Sequence, residues 1–228
     1  RQFEALVGTA ANFRDVRKSI ETTHFIVMEG RYGERPAETI HTTRDWLNPE
    51  RVSVDIPGYE DCNCGYCKTG ARRRAARDGV EATEEEILEE YWSPKSEKGA
   101  RTIPLRTERA VDITSRYFKT FGDTDVSYST LYRRVKVAAM YTEGVDADRV
   151  TPQVLRATAA SYWAWHGLNP STLQALFGWK YIQTAAYYLN RTGAQISREM
   201  NRAMGSRFVL PVRYAEQPPT WSEMRSSD

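Results

Sequence analysis

The sequence predicts a mainly α fold that also contains one small three-stranded antiparallel β-sheet, and thus an α+β class. The first observation is that proline marks the start of three segments in which apolar residues recur at helical spacing. The second is that two short segments, "RVSVDIP" and "RTIPL", alternate in polarity and are punctuated by proline, as strands at a sheet edge are. The segment "YWSPK" provides a candidate for the third strand.

The three proline-marked helices lie in "GERPAETIHTTRDWL", "VTPQVLRATAASYWAWHG" and "LNPSTLQALFGW". Pro36, Pro152 and Pro170 suit the first helical position, where the N–H group that proline lacks has no partner anyway. Thr151 and Asn169 precede two of these prolines and predict side-chain caps. These three segments therefore predict three helix starts.

Further helix boundaries follow from the same reasoning. Gly178 predicts the end of the third helix, because glycine readily adopts the left-handed conformation of a helix terminus. "STLYRRVKVAAMY" and "AQISREMNRAM" have helical periodicity and predict two more helices.

The composition is that of an ordinary globular protein. The chain has 228 residues, of which 40% are hydrophobic and 27% charged, and its net charge is +2. It lacks the ~18 consecutive apolar residues of a membrane helix, and a charge this small gives no argument for a nucleic-acid partner unless basic residues cluster locally. It begins with Arg1 rather than Met, so we expect a fragment, and its three cysteines suit a reducing cytoplasm.

A change of composition between Pro57 and Trp92 predicts an insertion of about residues 58–90 between two strands. It contains the polar and basic run "DCNCGYCKTGARRRAARDG". Cys62, Cys64 and Cys67 within it form C-x-C-x-x-C, whereas a structural zinc site needs four ligands. Either a histidine or a carboxylate elsewhere, His41 or Asp61, completes a zinc site, or the cysteines form a tight turn with free thiols.

Two arginines occupy positions that suit an anion. Arg35 lies at the start of the first proline-marked helix and Arg156 in the first turns of the second. Helix starts present free N–H groups and a positive dipole end, and two guanidinium groups can bind two phosphoryl oxygens. The alternative is that each arginine is simply solvated.

Four motifs in this order resemble the tyrosine recombinases, the phage-integrase family. "GERPAE" resembles their G-x-R-x-x-E box, "QVLRAT" their H-x-L-R-H-T box, "LFGW" their L-G-H/W box, and "IQTAAYYL" the segment with their nucleophilic tyrosine. The resemblance covers residues 3–204 and implies the catalytic-domain fold of that family. The family's N-terminal DNA-clamping domain would precede Arg1, and the cysteine-containing insertion looks like that of integrases from archaeal viruses and plasmids.

The resemblance implies which tyrosine attacks DNA. In the family the nucleophile follows the His/Trp position by nine residues, which from Trp179 gives Tyr188. Adjacent residues on a helix point about 100° apart, so Tyr187 is expected to pack elsewhere. The implied reaction is metal-free and proceeds through a 3′-phosphotyrosyl enzyme. Arg35, Arg156 and Trp179 bind the phosphoryl group, and Glu38 orients Arg35.

The resemblance also implies a lysine general acid between the second and third strands. Lys95 and Lys98 lie in this stretch, and Lys95 is favoured because it directly follows the predicted strand. The alternative is that both are exposed loop charges. Gln153 departs from the family, which has His or Lys there. A glutamine donates a hydrogen bond but exchanges no proton near neutral pH.

The resemblance implies double-stranded DNA with an attachment site as the partner. It also implies a homo-oligomer that is a tetramer on DNA and a monomer or dimer without it, in the cytoplasm of a cell that hosts a mobile element. We expect residues 205–228 either to pack against a neighbouring protomer or to be mobile. A type IB topoisomerase and a non-cleaving DNA-binding relative are the rival functions. Candidate phosphate contacts, each with solvated surface as its alternative, are Lys68, Arg72, Arg73, Arg74 and Arg77 in the insertion and Arg133, Arg134 and Lys136 on a helix.

Overall fold

The computed structural model describes residues 1–62, 64–79, 91–95, 97–122, 126–192, 200 and 204. Most of the helix predicted from "AQISREMNRAM", the whole tail 205–228 and residues 80–90 of the insertion lie outside these residues. The described part is mainly helical and contains a small three-stranded antiparallel sheet. The predicted fold class is confirmed.

Helices form most of the described chain, and among them none is long and apolar enough to cross a membrane. Three short 3-10 helices lie at Arg44–Trp46, Glu97–Gly99 and Ala147–Arg149. The α-helices are α1 (Gln2–Ala11), α2 (Val16–Gly30), α3 (Pro36–Thr39), α4 (Gly65–Asp78), α5 (Glu108–Phe121), α6 (Tyr128–Met140), α7 (Pro152–Trp165), α8 (Pro170–Phe177) and α9 (Ile182–Thr192).

The three proline-marked helices begin where the sequence predicts. The side chain of Thr151 accepts a hydrogen bond from the N–H of Val154 (3.2 Å), and that of Asn169 accepts one from Thr172 (2.9 Å). Caps of this kind contribute about 0.5–2 kcal/mol each. Gly178 ends α8 in the left-handed conformation, with φ 58° and ψ 40°. Local chemistry therefore determines these boundaries.

The main sheet consists of β1 (Leu47–Asn48), β2 (Ser53–Ile56) and a strand at Arg101–Pro104, in that spatial order. All neighbours are antiparallel, and Val54 pairs with Ile103, both fully buried. The segment predicted as an insertion leaves the sheet after β2 and returns to its last strand.

The third strand of this sheet is not the one that the sequence suggested. The "YWSPK" segment does form a strand, β4 (Tyr91–Trp92), but it pairs with β3 (Glu60–Asp61) in a separate two-stranded sheet. The last strand of the main sheet is therefore β5. β1 supplies the remaining strand, and its two residues are too few to show an alternating pattern.

Helix α2 forms the centre of the larger hydrophobic core and packs against α1, α5, α6 and α7. It is buried almost along its whole second half, including polar residues such as His24. Burial lowers the pKa of His24 to about 3, and its ring stacks on Tyr117 with 4.2 Å between ring centroids. This histidine is therefore a neutral packing residue.

A second, smaller core joins α7, α8 and α9. Small residues let these helices approach closely, and Trp179 and Tyr188 pack on the edge of the core. The core thereby places the tyrosine-bearing helix beside the end of α8. Its fully or nearly fully buried members are Ala159, Ala160, Ala164, Leu173, Phe177, Ala185 and Leu189.

Candidate active site

Three arginine side chains meet at the C-terminal end of α8. Arg35 comes from the start of α3, Arg101 from the first residue of β5, and Arg156 from α7. Three successive carbonyl groups each accept a hydrogen bond from a different arginine: Leu176 from Arg101 (2.7 Å), Phe177 from Arg156, and Gly178 from Arg35 (2.8 Å). The sequence predicted two of these arginines as site residues and missed Arg101.

The end of α8 offers these carbonyls because its backbone turns away in a Schellman motif. The N–H of Gly178 donates to Ala175 (3.2 Å), and the N–H of Trp179 donates to Gln174 (3.1 Å). This arrangement leaves the last two helical carbonyls without a partner inside the helix. Arginine side chains bind them instead, and the negative end of the helix dipole favours their charge.

The carboxylate of Glu38 is shared by two of the three arginines. Its Oε1 accepts from Nη1 of Arg35 (2.7 Å) and Nη1 of Arg101 (2.9 Å). Its Oε2 accepts from the backbone N–H of Arg35 and from Nη2 of Arg101, both at 2.7 Å. Burial opposes the charge of Glu38, but the hydrogen bonds and charges of both arginines outweigh it and hold its pKa below the usual value. Glu38 is therefore ionised and fixes two guanidinium groups.

Arg156 is held differently, by backbone carbonyls alone among its described hydrogen bonds. Its guanidinium donates to Gly33 and Phe177. Burial, followed by repulsion from Arg35 and Arg101, lowers the pKa of Arg156 to about 9. The group is still charged at neutral pH, and its environment contains excess positive charge. An anion with two or more oxygens would relieve this repulsion.

Two further carboxyl groups lie under the cluster, on Glu29 at the end of α2 and on Glu34. Burial raises the pKa of both, and a neighbouring carboxylate adds to the effect: Glu34 for Glu29, and Glu38 for Glu34. The pKa of Glu34 reaches about 7. Below these raised pKa values Glu29 and Glu34 are protonated and neutral, so they do not offset the positive charge of the three arginines. Glu34 lies inside a recognised motif, but nothing in the sequence predicts its burial.

The ring of Tyr188 stacks in a column that leads to the arginines. It lies parallel to Trp179, with centroids 5.4 Å apart and 4° between the planes, and Trp179 stacks on Phe177 at 4.7 Å. Tyr188 is also among the groups that favour the charged form of Arg156. Tyr187 is 54% exposed and meets Tyr188 edge-on. The two adjacent tyrosines thus have different environments, as the helix geometry predicts.

Comparison with solved structures defines the fold. The Tn1549 transposon integrase in complex with transposon right end DNA superposes with a TM-score of 0.61 at 18% identity, over 89% of this chain and 64% of that protein. XerA recombinase gives 0.57 at 15% identity, over 91% and 62%, and the catalytic domain of bacteriophage HP1 integrase gives 0.51 at 15%, over 93% and 96%.

The chain has the catalytic-domain fold of the tyrosine recombinases. It spans slightly less than two thirds of the Tn1549 and XerA proteins and nearly the whole HP1 catalytic domain. No protein-family model and no curated protein matches the chain. The assignment of the fold therefore rests on structural similarity alone, because the sequence identities to the solved structures are only 15–20%.

The two candidate lysines of this recombinase fold lie in the connection that returns to β5. Both are exposed. A Cβ atom on Gly178 would come within 2.6 Å of the backbone carbonyl of Lys98, so the backbone of Lys98 borders the arginine cluster. Gln153 is exposed in the first turn of α7, three residues before Arg156.

The predicted DNA contacts of the recombinase fold fall into two groups. On α4, Arg72 and Arg73 are exposed and Lys68 is partly buried, whereas the side chains of Arg74 and Arg77 lie outside the described part. On α6, Arg133 is exposed. Arg133 hydrogen-bonds only within its own helix, to Ser129 and Thr130, among its described contacts. The other two residues of this group contact other elements: Arg134 the carboxylate of Glu21, and Lys136 the carbonyl groups of Ala147 and Asp148.

The three cysteines of the insertion converge on His41. The four ligand atoms all lie within 4.8 Å of one another, so the group could hold a metal ion. Of the two candidates for a fourth ligand, the structure brings His41 to the cysteines, whereas Asp61 lies outside this group.

The close approach of Gly33 to Phe177 generates a stability prediction. Gly33 has φ +68°, and an added Cβ would lie 2.1 Å from the Phe177 ring. Gly33→Ala should lower the free energy of unfolding by about 2–4 kcal/mol, because overpacking costs about 1–3 kcal/mol and the left-handed conformation adds about 1 kcal/mol. Urea unfolding of the wild type and the variant measures the difference.

Gly144→Ala is the matched control for this substitution. Gly144 has φ +72°, but nothing lies within 4 Å of the added Cβ. This variant should therefore lose only about 1 kcal/mol, from backbone strain. If both variants lower the free energy of unfolding equally, the close approach of Gly33 to the Phe177 ring does not affect stability.

The raised pKa of Glu34 generates a pH prediction. Between its ordinary value of 4.5 and about 7, the folded chain retains a proton that the unfolded chain has lost. Stability therefore falls as pH rises through this window, by up to about 3 kcal/mol from this group. Glu34→Gln mimics the protonated form and removes the effect. Relative to the wild type it should be neutral at pH 5 and stabilising at pH 8, and parallel pH profiles would contradict the assignment.

Proposed function

We propose that the chain is the catalytic part of a site-specific DNA recombinase of the integrase type. It cleaves and rejoins DNA through a 3′-phosphotyrosyl intermediate. The observation that carries this proposal is the position of Tyr188. Its ring stacks on Trp179, at the edge of three converging guanidinium groups, of which Arg35 and Arg101 pair with the single carboxylate of Glu38.

The proposed reaction exchanges one phosphodiester for another. The oxygen of Tyr188 attacks the scissile phosphorus, the bond to the 5′-oxygen breaks, and that oxygen leaves as a hydroxyl after taking up a proton. A 5′-hydroxyl from a second DNA strand then attacks the phosphotyrosine and releases the tyrosine. Each step forms one P–O bond and breaks another, so rejoining needs no external energy source.

Arg35 and Arg156 are suited to stabilise the charge on the non-bridging oxygens. Each carries five N–H donors, and the hydrogen bonds to protein groups use only part of this set. Both groups are fixed by carbonyls or by Glu38 before DNA arrives. Donors that are already in place pay no reorganisation cost in the transition state. The indole N–H of Trp179 supplies one more donor.

We propose that this cleavage needs no metal ion. In many phosphoryl-transfer sites a divalent cation neutralises the phosphate oxygens. Here the buried, like-charged guanidinium groups fill that role, since a phosphate would relieve their mutual repulsion.

A general acid must protonate the leaving 5′-oxygen. The sequence argument favours Lys95, whereas the contact between the Lys98 backbone and Gly178 places Lys98 at the border of the cluster. We propose that one of these two lysines is the acid and that Gln153 donates only a hydrogen bond. The exposed position of Gln153 at the start of α7 fits a contact with bound DNA.

Double-stranded DNA is the proposed partner, and a tetramer on DNA is the proposed assembly. The Tn1549 integrase was solved with transposon end DNA and with circular intermediate DNA, and this supports DNA as substrate. Because this structural neighbour is an integrase, the likeness favours recombination over topoisomerase-like relaxation as the function of the chain. A non-cleaving relative is the second candidate, because Gln153 replaces a proton-exchanging residue. Packing of residues 205–228 against a neighbour, and a cellular setting in the host of a mobile element, are part of this proposal.

Trapping the covalent intermediate tests the proposal directly. A nicked suicide duplex that carries the element's own attachment site should give a protein–DNA adduct with the wild type. Tyr188→Phe should abolish the adduct, with a loss of at least about 10³-fold, because no other group takes over the nucleophile's role. Denaturing gel electrophoresis measures it.

Tyr187→Phe is the matched control and should retain the adduct, because its ring is about half exposed and meets Tyr188 edge-on, outside the stack that Tyr188 forms with Trp179. An adduct that survives in Tyr188→Phe would move the nucleophile elsewhere. No adduct with the wild type, despite specific DNA binding, would favour the non-cleaving candidate.

Sulfur substitution at the bridging 5′-oxygen identifies the general acid. Alanine at the correct lysine should slow cleavage of normal DNA by about 10²–10⁴-fold. A thiolate leaving group needs no proton, so the same variant should cleave the 5′-phosphorothiolate substrate at nearly the wild-type rate. Whichever of Lys95→Ala and Lys98→Ala is rescued marks the acid.

Arg156→Ala and Gln153→Ala are the controls for this rescue. Their proposed hydrogen bonds go to other oxygens, so sulfur should not restore either variant, and the glutamine variant should be the milder of the two. Rescue of Arg156→Ala would contradict its role in charge stabilisation. If neither lysine variant is slowed, the acid lies elsewhere.

A further inference from the structure

We propose that His41, Cys62, Cys64 and Cys67 form a structural zinc site that fastens the insertion to the arginine-bearing helix α3. The four ligand atoms lie within 4.8 Å of one another, and His41 Nε2 is 3.3 Å from Cys64 Sγ and 3.2 Å from Cys67 Sγ. Tetrahedral bonds to zinc of about 2.3 Å for sulfur and 2.0–2.1 Å for nitrogen separate ligand atoms by roughly 3.5–3.8 Å. The two nitrogen–sulfur distances lie within a few tenths of an ångström of these separations. The upper bound of 4.8 Å on the other separations lies about 1 Å above them, so modest side-chain shifts would accommodate the ion.

The histidine is already oriented as a ligand. Its Nδ1 lies 2.6 Å from the carbonyl oxygen of Ala37. A carbonyl only accepts, so Nδ1 carries the proton and Nε2 directs its lone pair at the sulfurs. The ring is also held by neighbouring aromatic side chains, with Trp92 stacked at 5.5 Å and Tyr66 edge-on at 5.6 Å. These contacts fix both the tautomer and the ring plane that a zinc ligand needs.

The cysteines also occupy positions that favour metal binding. Cys64 is the N-cap of α4, and its sulfur accepts from the N–H of Cys67 at 3.5 Å. The positive end of a helix favours thiolates, which are the form that binds zinc. Cys67 is buried and Cys62 partly buried, so part of the site is shielded from water.

Other uses of this cluster explain the geometry less well. A disulfide would consume two sulfurs and leave a third thiol and an oriented imidazole without a purpose. Iron–sulfur clusters are bound mostly by four cysteines, whereas three cysteines and one histidine form an ordinary structural zinc set. The convergence of all four ligand atoms therefore points to zinc.

The site connects two parts of the chain that Trp92 also joins, through its contacts with the rings of His41 and Trp46. His41 follows closely after α3, which Arg35 precedes as the N-cap and which contains Glu38, whereas the cysteines lie around the start of the insertion helix α4. Bound zinc would therefore hold the insertion, with exposed Arg72 and Arg73, against the segment that supports the arginine cluster. Zinc affinity would appear as folding stability of this region.

Metal analysis of the purified chain tests this without DNA. We expect one zinc per chain by elemental analysis, and Co²⁺ in its place should give the thiolate charge-transfer and d–d absorption bands of a tetrahedral site with three sulfurs. Chelation should lower Tm by about 10 °C, and added zinc should restore it, if zinc is present at about 1,000 times its Kd.

Substitution of a ligand separates the zinc site from nearby groups. Cys64→Ser should weaken Co²⁺ and zinc binding at least tenfold, by the scale of ligand-environment effects. Asp61→Asn is the matched control and should bind one zinc with unchanged affinity. For any variant that folds poorly, Co²⁺ titration during refolding gives the affinity directly.

Two results would overturn the proposal. One is a folded wild-type chain that contains no zinc and takes up no Co²⁺ into a thiolate site. The other is wild-type affinity in Cys64→Ser. Neither outcome depends on strand cleavage, so failure of the zinc site and failure of the recombinase proposal are distinguishable by the adduct assay.

Discussion

The structure of the site depends on one buried carboxylate, that of Glu38. It is 1% exposed and binds Arg35 and Arg101 at once, and these come from the start of α3 and the start of β5. A buried ion pair is often no more stabilising than apolar packing, but removing one partner leaves an uncompensated charge. Loss of this carboxylate would leave two guanidinium groups facing each other beside Arg156. The pair therefore acts as a constraint on geometry, which is the property that a phosphate-binding site requires.

The second constraint is the end of α8, which converts backbone geometry into a binding site for arginines. The Schellman motif at Gly178 provides hydrogen-bond donors for the carbonyls of Gln174 and Ala175. Arg101 and Arg156 bind the next two carbonyls, those of Leu176 and Phe177. Gly33 and Gly178 are needed because other residues would collide with the Phe177 ring and with the Lys98 carbonyl. The cluster is thus assembled by helix termination, a glycine turn and a strand start. Its excess positive charge is the part that the fold leaves for a ligand to neutralise.

The sequence predicted what local chemistry determines. Proline and cap residues located the starts of α7 and α8. The resemblance implied Tyr188 rather than Tyr187 as the nucleophile, and the structure stacks the ring of Tyr188 on Trp179. Arg101 could not be found in this way, because its role depends on the pairing of β2 with β5 across a long insertion. Helix α2 was missed because its buried face includes polar residues and has no clean apolar stripe. The role of Arg101 and the burial of α2 are therefore determined by tertiary contacts, which a local sequence pattern does not reveal.

The long insertion lies between β2 and β5 without separating the three arginines of the cluster. β2 and β5 pair as adjacent antiparallel strands although the insertion separates them in sequence. β3 and β4 pair with each other close to the points where the chain leaves the main sheet and returns to it. Trp92, at the return, packs on Trp46 and on the ring of His41. The β3–β4 pair and Trp92 therefore contact His41 of the cysteine cluster, and they precede Arg101 in the chain. These contacts precede β5 in the chain, and the first residue of β5 is the arginine that Glu38 binds.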